Sequence, residues 1–413
     1  MVIGAGALHP GWSSMPRGMI PAGPMAKPVK VRRCRATVSR TQASQVARPH
    51  RNPSTFARKV RSIPIEPRPR ISLPARGAFF SRALPFGLCL LLLGAAFIAS
   101  VAIGAVAIPP ARLWSILLER PGASGGSSAL ASIIWDLRLP RTVFVMLLGM
   151  ALASSGAAFQ GVFRNPLADP YLLGIGSGAS LGVALAITIP GFAATSPVIP
   201  LFAFLGAFGI VVLVYGWSRP GRDAASSTRL ILAGVAAGAF AQSMAAFLFY
   251  RTVEQTQRAI SWLMGGLLLG GWDPVRLSLP YILIGVLVMF AMGRVLNLMQ
   301  FGEEQAEQTG LNVARARWIL ILAASLTTAA GVAFGGVIGF IGLAVPHLAR
   351  LLWGGDYRRL LPLATLLGAS VLLLADLLAR TLIAPQQLPV GIVTALLGAP
   401  FFFYLLGRNS FTK

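Results

Sequence analysis

Lysine is nearly missing from this 413-residue chain: Lys27, Lys30, Lys59 and Lys413 are the only four, so the stretch between Lys59 and Lys413 has none. A phosphate-cradling GxxxxGK[ST] loop cannot be built there, so the chain cannot by itself be a P-loop ATPase. Two cysteines, Cys34 and Cys89, are too few for a disulfide framework or a zinc site. Histidine occurs three times, with His347 alone in the apolar body. A lone histidine cannot define an iron or haem site, and His347 is read as structural. No HExxH pattern and no nucleophile–base arrangement is present. No catalytic residue, metal ligand or bound cofactor is therefore assigned to this chain.

Charge is equally sparse: 12% of residues are charged and 55% hydrophobic, with a mean hydropathy of +0.71, whereas soluble domains carry about 25% charged residues. An ordinary soluble enzyme is excluded. The formal charge of +24 would suit a nucleic-acid binder if it were spread over one face, but it is not. Residues 1–82 hold 16 of the 36 Lys and Arg against the single Glu66. The chain divides into a basic segment over residues 1–80, whose Pro, Arg, Ser and Gly mix shows no periodicity and reads as disordered, and an apolar body over 81–413. Internal methionines at Met15, Met19 and Met25 leave open that translation starts within the basic segment. No nucleic-acid partner is expected.

Crossing a bilayer takes about 20 apolar residues per helix. Charge-free runs at 83–111, 142–163 and 230–250 suffice for one crossing each, and 170–218 for two, with Pro190, Gly191, Pro197 and Pro200 at the turn. Residues 277–293 make a short span. The run 318–355 makes two, broken at Gly331, Gly335 and Gly336, and 360–380 and 390–407 complete ten. The run 259–272 is too short and is expected at an interface or re-entering. The fold expected is all-α and polytopic, with about ten transmembrane helices. Ten is even, so both termini share one side. Outside the basic segment, one set of connections holds 12 basic residues and the other 8, and the positive-inside rule then puts both termini in the cytoplasm. An echo between Gly156-Ala-Ala-Phe-Gln-Gly-Val162 and Gly331-Val-Ala-Phe-Gly-Gly-Val337, starting on opposite sides, is the pattern of inverted repeats.

Four segments stand out: Trp135-Asp-Leu-Arg-Leu-Pro-Arg-Thr142; Gln160-Gly-Val-Phe-Arg-Asn-Pro-Leu-Ala-Asp-Pro170, with Leu173-Gly-Ile-Gly-Ser-Gly-Ala179 soon after; the acidic Phe301-Gly-Glu-Glu-Gln-Ala-Glu-Gln-Thr-Gly310; and Gly336-Val-Ile-Gly-Phe-Ile-Gly-Leu-Ala-Val-Pro-His-Leu-Ala-Arg350. Together, over about residues 80–410, they resemble the FecCD-type (BtuC-like) permeases of ATP-binding-cassette importers for ferric siderophores, haem and cobalamin. The resemblance implies a type II importer permease in the inner membrane that dimerises, here as a homodimer, around a central pathway. It further implies two cytosolic ATPases, which carry the ATP and Mg, and a periplasmic binding protein that delivers the chelate.

Carried over by position, the resemblance gives Arg138, Arg141 and Arg380 the task of holding carboxylates of the binding protein. The planar guanidinium fork suits that task; helix-end snorkelling of Arg138 and Arg141, and a local pair of Arg380 with Asp376, are the plainer readings. Gly302, Glu303, Glu304, Ala306 and Gly310 fall in the cytosolic loop that couples to the ATPase. Asn165, Leu167, Ser227 and Thr228 match the cytoplasmic gate, although Ser and Thr before an apolar run are also ordinary helix caps. Asp376 is the one carboxylate deep in an apolar run, and such acids are functional candidates by default. Two other classes compete: a proton- or ion-coupled secondary transporter centred on Asp376, and a membrane-embedded enzyme. Ferric siderophore leads among the chelates, with haem and cobalamin behind.

Overall fold

The computed structural model describes residues 76–104, 109, 114–116, 129–189, 198–218, 225–251, 260–266 and 270–407. The disorder expected for residues 1–75 therefore lies outside the described residues. Helices follow in the order α1 (Arg76–Ala102), α2 (Leu139–Phe163), α3 (Ile175–Thr188), α4 (Val198–Ser218), α5 (Ala225–Arg251), α6 (Asp273–Ala291), α7 (Gly293–Gln300), α8 (Glu303–Gln308), α9 (Val313–Gly335), α10 (Ile341–Trp353), α11 (Tyr357–Thr381) and α12 (Val390–Gly407). No strand occurs among the described residues. Helix α1 starts at Arg76, inside the segment expected to be tail.

Among the described residues, seven helices are long and apolar enough to cross a membrane. The ten spans expected each meet a helix, but α3, α10 and the apolar part of α12 are shorter. Fourteen residues in α3 rise only about 21 Å, against a hydrocarbon core of about 30 Å. Charge-free length overstates helix length here because turns use part of each run. Pro170–Leu173 form a 3-10 turn before α3, and residues 336–340 are non-helical before α10. The 259–272 run gives a turn of helix at 260–263, with Trp262 fully buried and its carbonyl against Gly336. It is thus packed into the protein body.

Helix α2 is the central element. Twenty of its 25 residues are buried, which explains why its apolar residues lack a one-sided stripe: a helix apolar all round is surrounded. Ser155 Oγ donates to Ala324 O, and Leu148 meets Gly331 and Gly335, so α2 and α9 run antiparallel. The segments Gly156–Val162 and Gly331–Val337 therefore lie on two neighbouring helices. Against α11, α2 is antiparallel as well, from Arg141 beside Asp376, through Gly149 on Gly368, to Gly161 on Tyr357. A Cβ on Gly149 would overlap Gly368 O, and one on Gly156 would overlap Gly342 O. Small residues allow this close approach where no hydrophobic effect drives helices together in lipid. On the outside, α5 exposes Leu232, Val235, Phe240, Phe247 and Tyr250, a face suited to lipid or a second subunit.

Candidate functional site

The candidate site residues gather at the two ends of α2. At its N-terminal end, a π-helical turn, Ile133–Arg138, leads into α2 and points Arg138 at the end of α1. Arg138 Nη1 donates to Val101 O and Ala102 O, each at 2.9 Å. Arg380 Nη2 reaches Ser100 O at 3.1 Å and Ser100 Oγ at 2.9 Å. The last carbonyls of a helix have no partner within it and carry negative partial charge, so two guanidinium groups complete α1. Ser100 Oγ also shares a 3.0 Å hydrogen bond with Thr142.

Asp376 is fully buried between two of these arginines. Oδ1 accepts Arg141 Nη2 at 2.8 Å and Nε at 3.2 Å, and Oδ2 accepts Arg380 Nε at 2.8 Å. Arg141 Nη1 then donates to Gln387 Oε1 at 2.7 Å. Arg138 and Arg380 are 9% and 8% exposed, whereas the Arg141 side chain is 26% exposed. All three line a cavity of about 420 Å³ together with Gly104, Leu137 and Gln387. Three guanidiniums against one carboxylate leave it cationic. The i,i+4 spacing made the Asp376–Arg380 pair legible; the Arg141–Asp376 pair, 235 residues apart, had no local signal.

At the opposite end stand the segments that the family resemblance assigns to coupling and to the gate. Helix α8 is bracketed by two glycines in left-handed conformations, Gly302 with φ 114° and Gly310 with φ 86°, where a Cβ would strain the backbone. Ala306 is buried and seats α8 on the body, while Glu304 and Glu307 are exposed. Glu303 turns inward: Oε1 accepts from Arg317 Nη2 and lies 3.8 Å from Arg164 Nη2. Arg317 is itself buried. Glu303 and Glu304, adjacent in sequence, thus part company: Glu303 is half-buried and Glu304 exposed.

Arg164 ends α2 in the left-handed region, φ 49°, and the candidate gate residues Asn165 and Leu167 follow. Asn165 Oδ1 accepts Leu167 N at 2.9 Å, and Leu167 is 37% exposed. Thr228 is exposed near the start of α5, and the side chain of Ser227 lies outside the described residues. Just beyond them, Asp169 Oδ1 caps the 3-10 turn through Tyr171 N at 2.8 Å. Burial pushes its carboxyl up to about 6. Tyr171 Oη accepts Ile338 N at 3.1 Å, joining this turn to the break before α10. Asp356 caps α11 through Arg358 N, and a 2.6 Å hydrogen bond from Asn297 holds its carboxyl below the usual range. The roles of Arg164 and Tyr171 are not legible in the sequence, because their partners Glu303 and Ile338 are remote in the chain.

Among the described residues no three His, Cys, Asp or Glu side chains gather as a metal site. The sequence matches the FecCD transport family over residues 90–408. The chain belongs to that family. Two relatives align over most of their length. One is YvrB of Bacillus subtilis (strain 168), an ABC transporter permease protein, 40% identical over 77% of this chain and 91% of its own. The other is the hemin transport system permease HmuU of Yersinia pestis, 40% identical over 79% and 96%. A solved ABC transporter described as of the metal-chelate type, in an inward-facing conformation, superposes with a TM-score of 0.69 at 31% identity, covering 79% of this chain and 99% of that one. The FecCD fold thus accounts for the all-helical, multi-pass architecture.

Proposed function

We propose that this FecCD chain is the membrane permease subunit of an ATP-driven importer that passes a metal chelate inward, without covalent chemistry of its own. The observation that carries the reading is α8: a short helix tethered to the body by Glu303 and Ala306, with Glu304 and Glu307 exposed. Such a helix can be pushed by a partner and move the body with it. The partner proposed is a cytosolic ATPase, two copies per homodimer of the permease.

The cationic cavity at the far end suits the carboxylates of a periplasmic binding protein. Arg141 is its accessible guanidinium, while Arg138 and Arg380 set the local charge and hold α1. On this reading α8 and both termini face the cytoplasm and the chain lies in the inner membrane. The chelate proposed first is a ferric siderophore, and the similarity to a hemin permease keeps haem beside it, with cobalamin third. A secondary transporter centred on Asp376 is less well supported, because both of its oxygens are already engaged by arginine.

Reconstitution with the ATPase and binding protein encoded beside the permease tests this. ATP-dependent uptake of ferric siderophore, haem or cobalamin that needs all three components is the expected outcome. Uptake that persists without the ATPase and follows a proton gradient would overturn it.

A further inference from the structure

Residues at the end of α2 are tied to the approach to α8 by more than packing. Gln300 Nε2, the last residue of α7, donates to Gly161 O of α2 at 3.0 Å and to Leu296 O at 3.2 Å. A Cβ on Gly161 would press on Leu296, so the two elements are in close contact there. Two residues past Gln300 the chain turns through Gly302, and Arg164 Nη1 lies 3.8 Å from where a Cβ on Gly302 would stand. Arg164 Nη2 faces Glu303 across the same gap. A surface ion pair contributes little on its own, but Glu303 is fixed from behind by the buried Arg317, so Arg164 meets an oriented carboxylate.

We propose that Arg164, Gln300 and Glu303 form an internal clasp that makes the coupling helix and the gate turn move as one body. Glu303 then acts inside the permease, and the exposed Glu304 and Glu307 face the ATPase. Arg164 directly precedes Asn165. The turn that follows is closed by Asn165 N on Gln160 O at 3.1 Å, Leu167 N on Asn165 Oδ1 at 2.9 Å and Ala168 N on Asn165 O at 3.0 Å. Displacement of α8 is thereby passed to residues 165–168 with little slack. Tyr171 Oη, bonded to Ile338 N, carries it on to the break between α9 and α10. Arg164 and Gln300 are positioning residues on this view. The inference rests on the proposed function, since it takes α8 to be the ATPase contact.

The test uses the full-length permease with Cys34→Ser and Cys89→Ala, a reporter Leu167→Cys, its ATPase and the binding protein encoded beside it, in liposomes. A membrane-impermeant maleimide reports the gate turn with and without ATP. In this parent protein ATP is expected to change the labelling rate. Arg164→Gln should abolish that change and lower ATP-driven uptake about tenfold, within the usual range for coupled sites, while ATPase co-purification is retained. Arg164→Lys, which keeps the charge, should restore most of both. Arg164 is largely on the surface, and should its glutamine variant still fail to fold, Gln300→Ala must produce the same loss. ATP-dependent labelling that persists in Arg164→Gln and Gln300→Ala overturns the clasp, as does a parent protein that labels equally in both states. Failure of the parent protein to bind the ATPase would instead overturn the proposed function.

Discussion

Arg141 of α2 donates twice to one carboxylate oxygen of Asp376 of α11, at 2.8 and 3.2 Å, joining helices 235 residues apart in sequence. Within a membrane protein this is a costly arrangement unless every charge is satisfied, since desolvation competes with the attraction. Here Arg380 takes the other oxygen and the carbonyl end of α1 takes what remains of Arg380.

Asp376→Asn should therefore destabilise the permease by about 3 kcal/mol or more, because both arginines lose their counter-charge. Thermal unfolding in detergent checks this. Arg141→Gln, at a quarter-exposed site, should cost about 1 kcal/mol while weakening binding-protein association at low salt. Unchanged association in a folded Arg141→Gln protein would remove Arg141 from docking.

Helix contact through glycine gives a purely steric prediction. Gly156→Ala forces α2 away from Gly342 of α10 and should cost about 1–3 kcal/mol. Gly209→Ala on α4, where a Cβ meets nothing within 4 Å, should stay within about 0.5 kcal/mol. Paired melting curves decide it, and equal losses would sink the packing argument.

Asp169 supplies a pH signature. Its carboxyl is raised to about 6 in the folded protein, against about 3.9 unfolded. The folded state thus binds the proton more tightly, and this group's contribution to stability is full below about pH 4 and lost as pH rises to about 6. Asp169→Asn retains an oxygen for Tyr171 N and should flatten that fall. The difference between wild-type and variant melting temperatures from pH 4 to 7 is the readout, and parallel curves would refute it.

Charge reversal of the exposed pair Glu304 and Glu307 should lower ATPase co-purification about tenfold, the factor carried by about 1.4 kcal/mol, and leave the fold intact. Co-purification at the wild-type level would place the ATPase contact elsewhere.

The amino-acid sequence by itself determined the apolar helices, their rough number, the lack of a GxxxxGK[ST] loop and the order of the family segments. Each of those depends on local composition, where about 20 apolar residues in a row have one stable fate in a bilayer. It also made Asp376–Arg380 legible, because i,i+4 spacing places both on one helix face. Where the glycine and proline turns shorten α3 and α10 could only be settled by the backbone around Pro170, Gly336 and Phe340. Tertiary structure alone decided which arginines are buried cappers and which is accessible, since the carbonyl end of α1 and the N-terminal end of α2 meet only in space. It likewise turned Glu303 inward and Glu304 outward, because adjacent helical residues point about 100° apart and only the position of Arg317 and Arg164 fixes which of the two finds a partner inside the protein.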